Sequence, residues 1–210
     1  MRTSIYIDGF NLYYSALKGT AYKWLDLKQL AASLLLPTHQ IVAVKYFTAL
    51  VSGSTDPNQP IRQKTYIRAL RQSIPELTVH YGHFLSHTVR APNAPPTQPL
   101  TFANVIKTEE KGSDVNLAVH LLNDAWKDVY DCAVLISNDS DFAEALRLVK
   151  EQNKKKIGII SPVLKGSKRH RSQELIRHAD FVLRIGQGVL AASQLPPSIP
   201  GTNIHKPANW

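Results

Sequence analysis

Short apolar segments alternate with helical segments along most of the chain, and this alternation limits the fold more than any other feature. The predicted strands cover residues 4–8, 41–51, 77–85, 132–136, 156–161 and 181–185. The predicted helices cover residues 12–17, 27–36, 60–73, 114–125, 142–149 and 173–177. Strands that alternate with helices form a parallel sheet with helices on both faces. We therefore predict a three-layer α/β domain with a mostly parallel central sheet.

Two segments do not follow the alternation. Residues 86–104 are rich in proline, and we expect a long loop there. From about residue 191 the composition turns to Pro, Ser, Asn and Gly, which predicts a peripheral or disordered tail that buries little apolar surface. The predicted organisation is thus one domain over residues 1–190 and a proline-rich tail over residues 191–210.

Four aspartates lie in three short motifs at the ends of these elements. Asp8 in IYIDGFN closes the first strand, and Asp139 and Asp141 in VLISNDSDF follow the strand at 132–136. Asp114 in EKGSDVNLA opens a helix. Ligands of open α/β sheets bind beyond the carboxyl ends of the strands, so these side chains converge if their strands are neighbours. Asp114 reaches that edge only if the loop before its helix returns there.

Such a cluster of carboxylates indicates a divalent cation. Like charges held together disfavour one another's ionised form unless a cation lies among them. A set of oxygen ligands selects Mg²⁺ or Mn²⁺ over zinc, and Mg²⁺ bridges readily to phosphate oxygens. Such an ion activates water and stabilises a leaving oxygen. The predicted ligands, which are also the predicted catalytic residues, are Asp8, Asp114, Asp139 and Asp141.

Each of these residues also has a simpler interpretation. Asp139 or Ser140 could cap the helix that follows, and Ser113 or Asp114 could cap the helix over residues 114–125. Asp8 could belong to a simple turn. The occurrence of all the motifs in one chain favours a common site.

Polar neighbours of the aspartates are candidate supporting residues. Asn11 could orient Asp8 through its amide, or could bond its own backbone in a turn. Ser137 and Ser140 could bond a carboxylate or a phosphate, or could stabilise the turn alone. Glu110 is a candidate further ligand, although an exposed loop charge is the favoured interpretation.

Charge and cysteine content narrow the functional class. The net charge of +9 around an acidic cluster favours a polyanionic partner, with nucleic acid first. One cysteine, Cys132, excludes an intrachain disulfide and a cysteine-rich zinc site, and it fits a buried thiol in a reducing cytoplasm.

No apolar run approaches about 20 residues, so we expect no membrane helix. The first residues lead into a strand, so we expect no signal peptide.

The segments IDGFNLYYS, EKGSDVNLAVHLLNDA and VLISNDSDFAEAL, in this order, resemble the motifs of the NYN domain family. This family is a branch of the PIN-like nucleases, and the likeness is greatest to its LabA-like group. The resemblance runs from about residue 3 to 186. It implies a PIN-like fold and a Mg²⁺- or Mn²⁺-dependent ribonuclease with Asp8, Asp114 and Asp139 as the metal centre and Asp141 adjoining. Asn11 matches a recurrent Asn of the family, whereas Asn138 stands where many relatives have Gly.

A basic segment, KGSKRHR, follows the strand at 156–161 and therefore emerges at the same edge as the aspartates. Its side chains could hold RNA phosphates, and binding would then weaken as salt rises; a mobile solvated loop is the alternative. The predicted substrate-binding residues are Lys111, Lys165, Lys168, Arg169 and Arg171.

Aromatic and histidine side chains give weaker signals. Four aromatic residues after the first motif could stack unpaired bases or belong to the core; they are Tyr13, Tyr14, Tyr22 and Trp24. The segment HYGHFLSH contains His80, His83 and His87, but alternation along one strand would place His80 opposite the other two, so we expect no shared metal site.

The primary hypothesis is a metal-dependent endoribonuclease, with RNA a better candidate partner than DNA. By resemblance, in-line attack of water would leave a 5′-phosphate and a 3′-hydroxyl. One alternative is a non-catalytic RNA-binding or regulatory protein with a vestigial metal site, and another is a phosphatase of small phosphoesters. PIN-like folds often pair, so a homodimer is an open expectation.

Overall fold

A six-stranded parallel sheet forms the centre of the protein, as the alternation predicts. The computed structural model describes residues 1–53, 56–95, 98–164, 166–208 and 210. In spatial order the strands are β3 (Leu77–Tyr81), β2 (Gln40–Thr48), β1 (Arg2–Asp8), β6 (Cys132–Ile136), β7 (Lys156–Ser161) and β8 (Phe181–Arg184). All neighbouring pairs are parallel. Every residue of β6 is buried, as expected for a strand covered on both faces.

Helices cover both faces of this sheet and complete the three-layer α/β architecture. The first helix, α1 (Gly9–Leu12), continues as a π-helical stretch over Tyr13–Leu17. The second and third are α2 (Leu27–Leu34) and α3 (Gln59–Ser73). The others are α4 (Ser113–Trp126), α5 (Ala143–Gln152), α6 (Gln173–His178) and α7 (Gln187–Ala192). A 3₁₀ turn at Ser140–Phe142 precedes α5.

Alternate side chains of the strands build two apolar layers. In β1, Ile5 and Ile7 belong to the layer under α2 and α3, whereas Tyr6 belongs to the layer under α4 and α5. In β6, Val134 and Leu135 divide in the same way. Because side chains alternate along a strand, each strand residue faces one helix layer or the other.

The strand order places a crevice at the centre of the sheet. From β1 the chain proceeds outward through β2 and β3 on one side, and β6, β7 and β8 lie on the other. The direction therefore reverses between β1 and β6, and open α/β sheets bind ligands at such a switch point. Asp8 ends β1, and the third motif follows β6 at this same place.

The predicted single strand at 77–85 and the predicted loop at 86–104 are wrong. Gly82 separates β3 from β4 (His83–Pro92), which pairs antiparallel with β5 (Phe102–Lys111) in a separate two-stranded sheet. A Cβ on Gly82 would lie 2.6 Å from the carbonyl oxygen of Lys111 and 2.8 Å from the nitrogen of Ser113. The returning chain therefore packs directly on the glycine backbone, and the prolines concentrate near the connection between β4 and β5.

The tail contributes to the core, so the prediction that it buries little apolar surface is wrong. Leu195, Ile199 and Ile204 are at most 5% exposed. The indole nitrogen of Trp24 donates to the carbonyl of Pro196 at 2.9 Å. Prolines exclude regular structure here, but the apolar residues between them pack against the domain. The boundary at residue 190 stays a prediction.

The structure bears on two expectations, that the chain has no membrane helix and that Cys132 is a buried thiol. Within the part of the chain that the structure describes, each helix is too short or too polar to cross a bilayer. Cys132 is fully buried, and burial raises the pKa of its thiol to about 11, which fits a structural role. A cytoplasmic location stays a prediction.

Candidate active site

Three of the four predicted aspartates line one cleft at the carboxyl edge of the central sheet. They are Asp8, Asp114 and Asp139. The cleft has a volume of about 350 Å³. Its other walls are formed by Phe10, Asn11, Tyr14, Ser15, Phe84, Glu110 and Arg169. The first motif thus meets the other two, which lie more than 100 residues further along the chain, at this edge of the sheet.

Asp8 is the most constrained carboxylate of the cleft. It is 5% exposed, and it accepts hydrogen bonds from the backbone nitrogen of Asn11 and from Ser137 Oγ, both at 2.9 Å. Burial above all, together with the charges of Asp114 and Asp139, raises the pKa of Asp8 to about 6, although the two hydrogen bonds act to lower it. The carboxylate is therefore oriented by the fold but poorly compensated in charge.

Ser137 joins the ends of β1 and β6. Its buried hydroxyl donates to Asp8 Oδ2 and accepts from the backbone nitrogen of Asp139 at 3.0 Å. Asp139 Oδ1 in turn accepts from the nitrogen of Asp141 at 3.1 Å and caps the 3₁₀ turn. Asp139 thus caps the 3₁₀ turn that precedes α5 rather than α5 itself, and it also lines the cleft.

Asn11 and Asn138 tie the first motif to the basic segment. Asn11 Oδ1 accepts from the backbone nitrogen of Asn138 at 3.0 Å, so its amide bonds another loop rather than its own turn. The amide of Asn138 donates to the carbonyl of His170 at 3.1 Å and accepts from the nitrogen of Ser172 at 2.9 Å. A glycine at residue 138 could not make the last two contacts.

The hairpin of β4 and β5 brings Asp114 to the cleft. The chain leaves the central sheet at Gly82, after β3, and comes back beside Gly82 at Gly112, just before α4. The φ of Gly112 is 94°, a conformation that favours glycine. There the nitrogen and hydroxyl of Ser113 donate to Glu110 at 3.1 and 2.7 Å, which fixes the start of α4. Burial first, and then the charges of Asp139 and Glu110, raise the pKa of Asp114.

Glu110 is partly buried in β5 and lines the cleft, so its favoured interpretation as an exposed loop charge is wrong. Asp141 and Ser140 are exposed and do not line the cleft. Asp141 nevertheless lies close enough for its charge to raise the pKa of Asp114. Its predicted role as a ligand stays a prediction, as does the role of Ser140.

One residue of the basic set reaches the cleft. Arg169 lines it, and its Nη1 donates to Ser15 Oγ at 3.2 Å. Lys168 is exposed, Arg171 is partly buried, and Lys111 pairs with Glu109 at 3.3 Å on the surface. Lys165 lies outside the described residues.

The aromatic residues after the first motif divide between surface and core. Tyr14 is 54% exposed and lines the cleft, and Tyr13 lines an adjoining cavity. Trp24 is fully buried and Tyr22 packs against the same core, so the core interpretation holds for both.

Two phenylalanines in the cleft wall were not singled out from the sequence. Phe10 and Phe84 contact each other edge to face with ring centroids 5.7 Å apart. Phe10 lies inside the first motif, where its position after the Asp-Gly pair could have marked it. The sequence does not place Phe84, because it predicts one strand over residues 77–85, whereas Phe84 lies on β4 of the separate two-stranded sheet.

The three histidines lie on two different sheets, so the alternation along one strand on which the expectation was based does not exist. His80 belongs to β3 and stacks on Phe47 with centroids 4.8 Å apart. His83 and His87 are exposed on β4, which belongs to the other sheet.

The donor set fits a hydrated Mg²⁺ or Mn²⁺ ion better than a closed metal cage. Among the described residues, no group of three or more His, Cys, Asp or Glu side chains is arranged so that it could hold a metal ion. Mg²⁺ usually keeps several waters and takes only one or two carboxylates together with substrate phosphate. The ion pairs of the described residues leave Asp8, Asp114 and Asp139 without a cationic partner.

Two proteins are similar to this chain over most of its length. The 6-hydroxy-3-succinoylpyridine 3-monooxygenase HspA of Pseudomonas putida is 34% identical over 236 residues, covering 100% of this chain and 75% of that protein. A crystal structure of a protein of unknown function from Vibrio parahaemolyticus has a TM-score of 0.57 at 19% identity, covering 89% of this chain and 93% of that one. The second likeness shows the fold alone.

The NYN domain profile matches residues 2–185, which include all three aspartate motifs. The likeness to the LabA-like group stays a prediction. With the parallel sheet and the acidic cleft at its switch point, this match identifies the chain as a member of the NYN domain family, within the PIN-like nuclease superfamily.

Proposed function

We propose that this protein is a metal-dependent endoribonuclease that hydrolyses phosphodiester bonds of RNA. The family match supports a nuclease-like function. The observation that carries the proposal is Asp8, a buried carboxylate with a pKa raised to about 6, held beside Asp114 and Asp139 without a cationic partner among the described residues. A strongly perturbed carboxyl group in a cleft is the expected signature of a functional site.

Each residue of the cleft has a distinct role in this proposal. Asp8 and Asp139 are held relative to each other by Ser137, and Asp114 approaches from the start of α4. These carboxylates would hold Mg²⁺ or Mn²⁺ directly or through bound water, and the ion would supply the positive charge that activates water and stabilises the leaving oxygen. Asp141 supports this set from outside the cleft wall.

RNA is the proposed partner because basic and aromatic groups share the cleft. Arg169 can pair with a phosphate, and the exposed ring of Tyr14 offers a stacking surface for an unpaired base. Lys168 and Arg171 extend the positive charge along the segment that Asn138 tethers. In-line attack would leave a 5′-phosphate and a 3′-hydroxyl.

The Asp8→Asn substitution tests the proposal, because it removes the charge while keeping the size of the side chain. Labelled single-stranded RNA and DNA are incubated with Mg²⁺, Mn²⁺ or EDTA, and products are resolved by length and end group. We expect divalent-dependent RNA cleavage by the wild type and none above background by the variant. Asp128→Asn is the matched control, since Asp128 is 67% exposed in its side chain and pairs with Arg2 at the opposite end of β1.

Other outcomes would assign a different function. RNA binding that EDTA does not change, with no cleavage under any divalent ion, would favour the regulatory alternative. Release of phosphate from a small phosphoester without RNA cleavage would favour a phosphatase. Equal RNA cleavage by the purified wild type and the Asp8→Asn variant would refute the role of the acidic cleft.

A second candidate function is oxygenation of a small aromatic compound. It is favoured by the aromatic cavity beside the cleft and by the relative whose name describes a monooxygenase of 6-hydroxy-3-succinoylpyridine. The assay is consumption of that compound with O₂ and a two-electron donor, supplied as NADH and, in parallel, as NADPH. Turnover by the wild type that is absent without O₂ would support this candidate, and no turnover would exclude this compound as a substrate.

A further inference from the structure

A second cavity lies beside the acidic cleft, on the β2 side of β1. Its volume is about 340 Å³, within the usual range of small-molecule sites. It is enclosed by the start of α1, the π-helical stretch, the end of β2, α3 and Trp210. Phe10 and Tyr14 line both sites and therefore form the partition between them.

Six aromatic side chains line the cavity, and several of them are held in place by contacts; they are Phe10, Tyr13, Tyr14, Tyr46, Tyr66 and Trp210. Tyr66 donates from its hydroxyl to the carbonyl of Leu25 at 2.7 Å, and Trp210 packs on it with centroids 5.3 Å apart. The ring of Tyr46 lies against Gly9, where a Cβ would come within 2.7 Å of Tyr46 Cε2. Rings that are already ordered lose little conformational entropy when a planar ligand binds.

The charged residues of this cavity are mainly cationic. Lys23 and Arg62 line it together with one carboxylate, that of Asp56, which pairs with Arg62. Lys23 is partly buried and forms no ion pair with any residue that the structure describes. The cavity therefore differs in charge from the acidic cleft on the other side of the partition.

We propose that this cavity binds a planar aromatic ring that carries an anionic group. The ring packs against the tyrosines, and the anion pairs with Lys23 and Arg62. Two sources share this chemistry: one nucleotide of an RNA that also enters the cleft, and a free small aromatic acid. The proposal concerns binding alone and depends on neither function proposed above.

Isothermal titration calorimetry with three probes tests the ligand chemistry. The probes are 5′-AMP, a base with a phosphate; benzoate, a ring with a carboxylate; and ribose 5-phosphate, an anion without a ring. We expect at least one of the two ring-bearing probes to bind at one site per chain. Because stacking of a base contributes about 1–3 kcal/mol, ribose 5-phosphate should bind about tenfold more weakly or not at all.

Paired variants locate the site. Tyr13→Leu removes a ring and Arg62→Gln removes a charge, and each should weaken binding about tenfold. Tyr81→Leu and Arg68→Gln are the matched controls, because Tyr81 is an exposed tyrosine of β3 and Arg68 an exposed arginine of α3, and neither lines the cavity. Both controls should keep wild-type affinity, with melting temperatures verifying that all four variants are folded.

The result also separates the two sources of ligand. Binding of 5′-AMP without benzoate assigns the cavity to a nucleotide, and the reverse assigns it to a small aromatic acid. Failure of both ring-bearing probes to bind, equal binding of ribose 5-phosphate, or equal losses in the control variants would overturn the proposal. Asp8 does not line the cavity, so the Asp8→Asn variant should keep its affinity for the probe. A negative nuclease assay would therefore refute the nuclease proposal without refuting this one.

Discussion

The acidic cleft and the aromatic cavity lie on two sides of Phe10 and Tyr14, yet they are built in opposite ways. The cleft gathers like charges, and Asp8 has a pKa of about 6 because burial and its neighbours oppose ionisation. The cavity gathers rings that pack on one another, with two cations and one carboxylate among them. A cleft that costs folding free energy is expected where chemistry occurs, whereas a preformed apolar cavity is suited to binding.

The largest expected effect comes from removing a cleft carboxylate. Asp114→Asn should lower RNA cleavage by roughly 100-fold or more, beyond the range of a supporting residue. Affinity of the cavity for its ring-bearing probe should stay within about twofold, because Asp114 itself does not line the cavity. Cleavage rates and calorimetry on the same preparations measure both. A similar loss in both sites would show that the cleft and the cavity are one unit.

Ser137→Ala should have the next largest effect, about 10–100-fold on cleavage, because Ser137 positions both Asp8 and Asp139. In the wild type, the hydrogen bond from Ser137 lowers the pKa of Asp8. Its loss should raise that pKa, so the acid limb of the pH–rate profile should move to higher pH. Ser161→Ala, at a buried serine that ends β7, is the control. An unshifted profile would contradict the positioning role.

Gly82→Ala tests whether the hairpin positions Asp114. The added methyl group would meet the backbone of Lys111 and Ser113, so we expect a loss of about 1–3 kcal/mol in the free energy of unfolding, together with slower cleavage. Gly188→Ala is the control, because a methyl group added there would have no described atom within 4 Å beyond its own helix backbone and chain neighbours. Urea denaturation of both variants measures the difference. Full stability and full activity in Gly82→Ala would show that the close approach is not needed.

The smallest expected effect is a gain in stability on Asp8→Asn in metal-free buffer. The folded-state pKa of Asp8, about 6, lies above its ordinary value of 3.8, so ionisation opposes folding. This cost is absent below about pH 4 and complete above about pH 6. The difference between 3.8 and about 6 corresponds to about 3 kcal/mol. Because an Asn side chain accepts the hydrogen bonds from Asn11 and Ser137 more weakly than a carboxylate does, the variant should be more stable by about 1–2 kcal/mol at pH 8, and the gain should vanish at pH 4. Thermal unfolding of the wild type and the variant at both pH values measures this difference. A variant that is less stable than the wild type at pH 8 would contradict the raised pKa.

Much of the fold could be predicted because it depends on local patterns. The run CAVLI is apolar at every position, as a strand buried on both faces requires, and β6 occupies those residues. The aspartates of the cleft could be predicted because each stands at the end of an element, where strand polarity determines its position. The convergence of Asp114 depended on a returning loop, and only the structure shows the hairpin that provides it.

The remaining features depend on contacts between residues far apart in the chain. Gly82 interrupts an alternating pattern that otherwise continues, and the backbone that packs on it comes from residues 111–113. Ile204 is buried although its neighbours are polar or proline. The cavity combines Gly9, Tyr46, Tyr66 and Trp210, which share no motif. Such a site has no local signal, whereas the three motifs of the cleft do.

The most direct test of the central claim is a crystal structure with Mn²⁺, located by its anomalous scattering. We expect one or two Mn²⁺ ions in the cleft, coordinated by Asp8, Asp114 and Asp139 directly or through water, and loss of this signal in crystals of the Asp8→Asn variant. Crystals grown with millimolar Mn²⁺ that show no ion in the cleft, or the same ion in the variant, would contradict it.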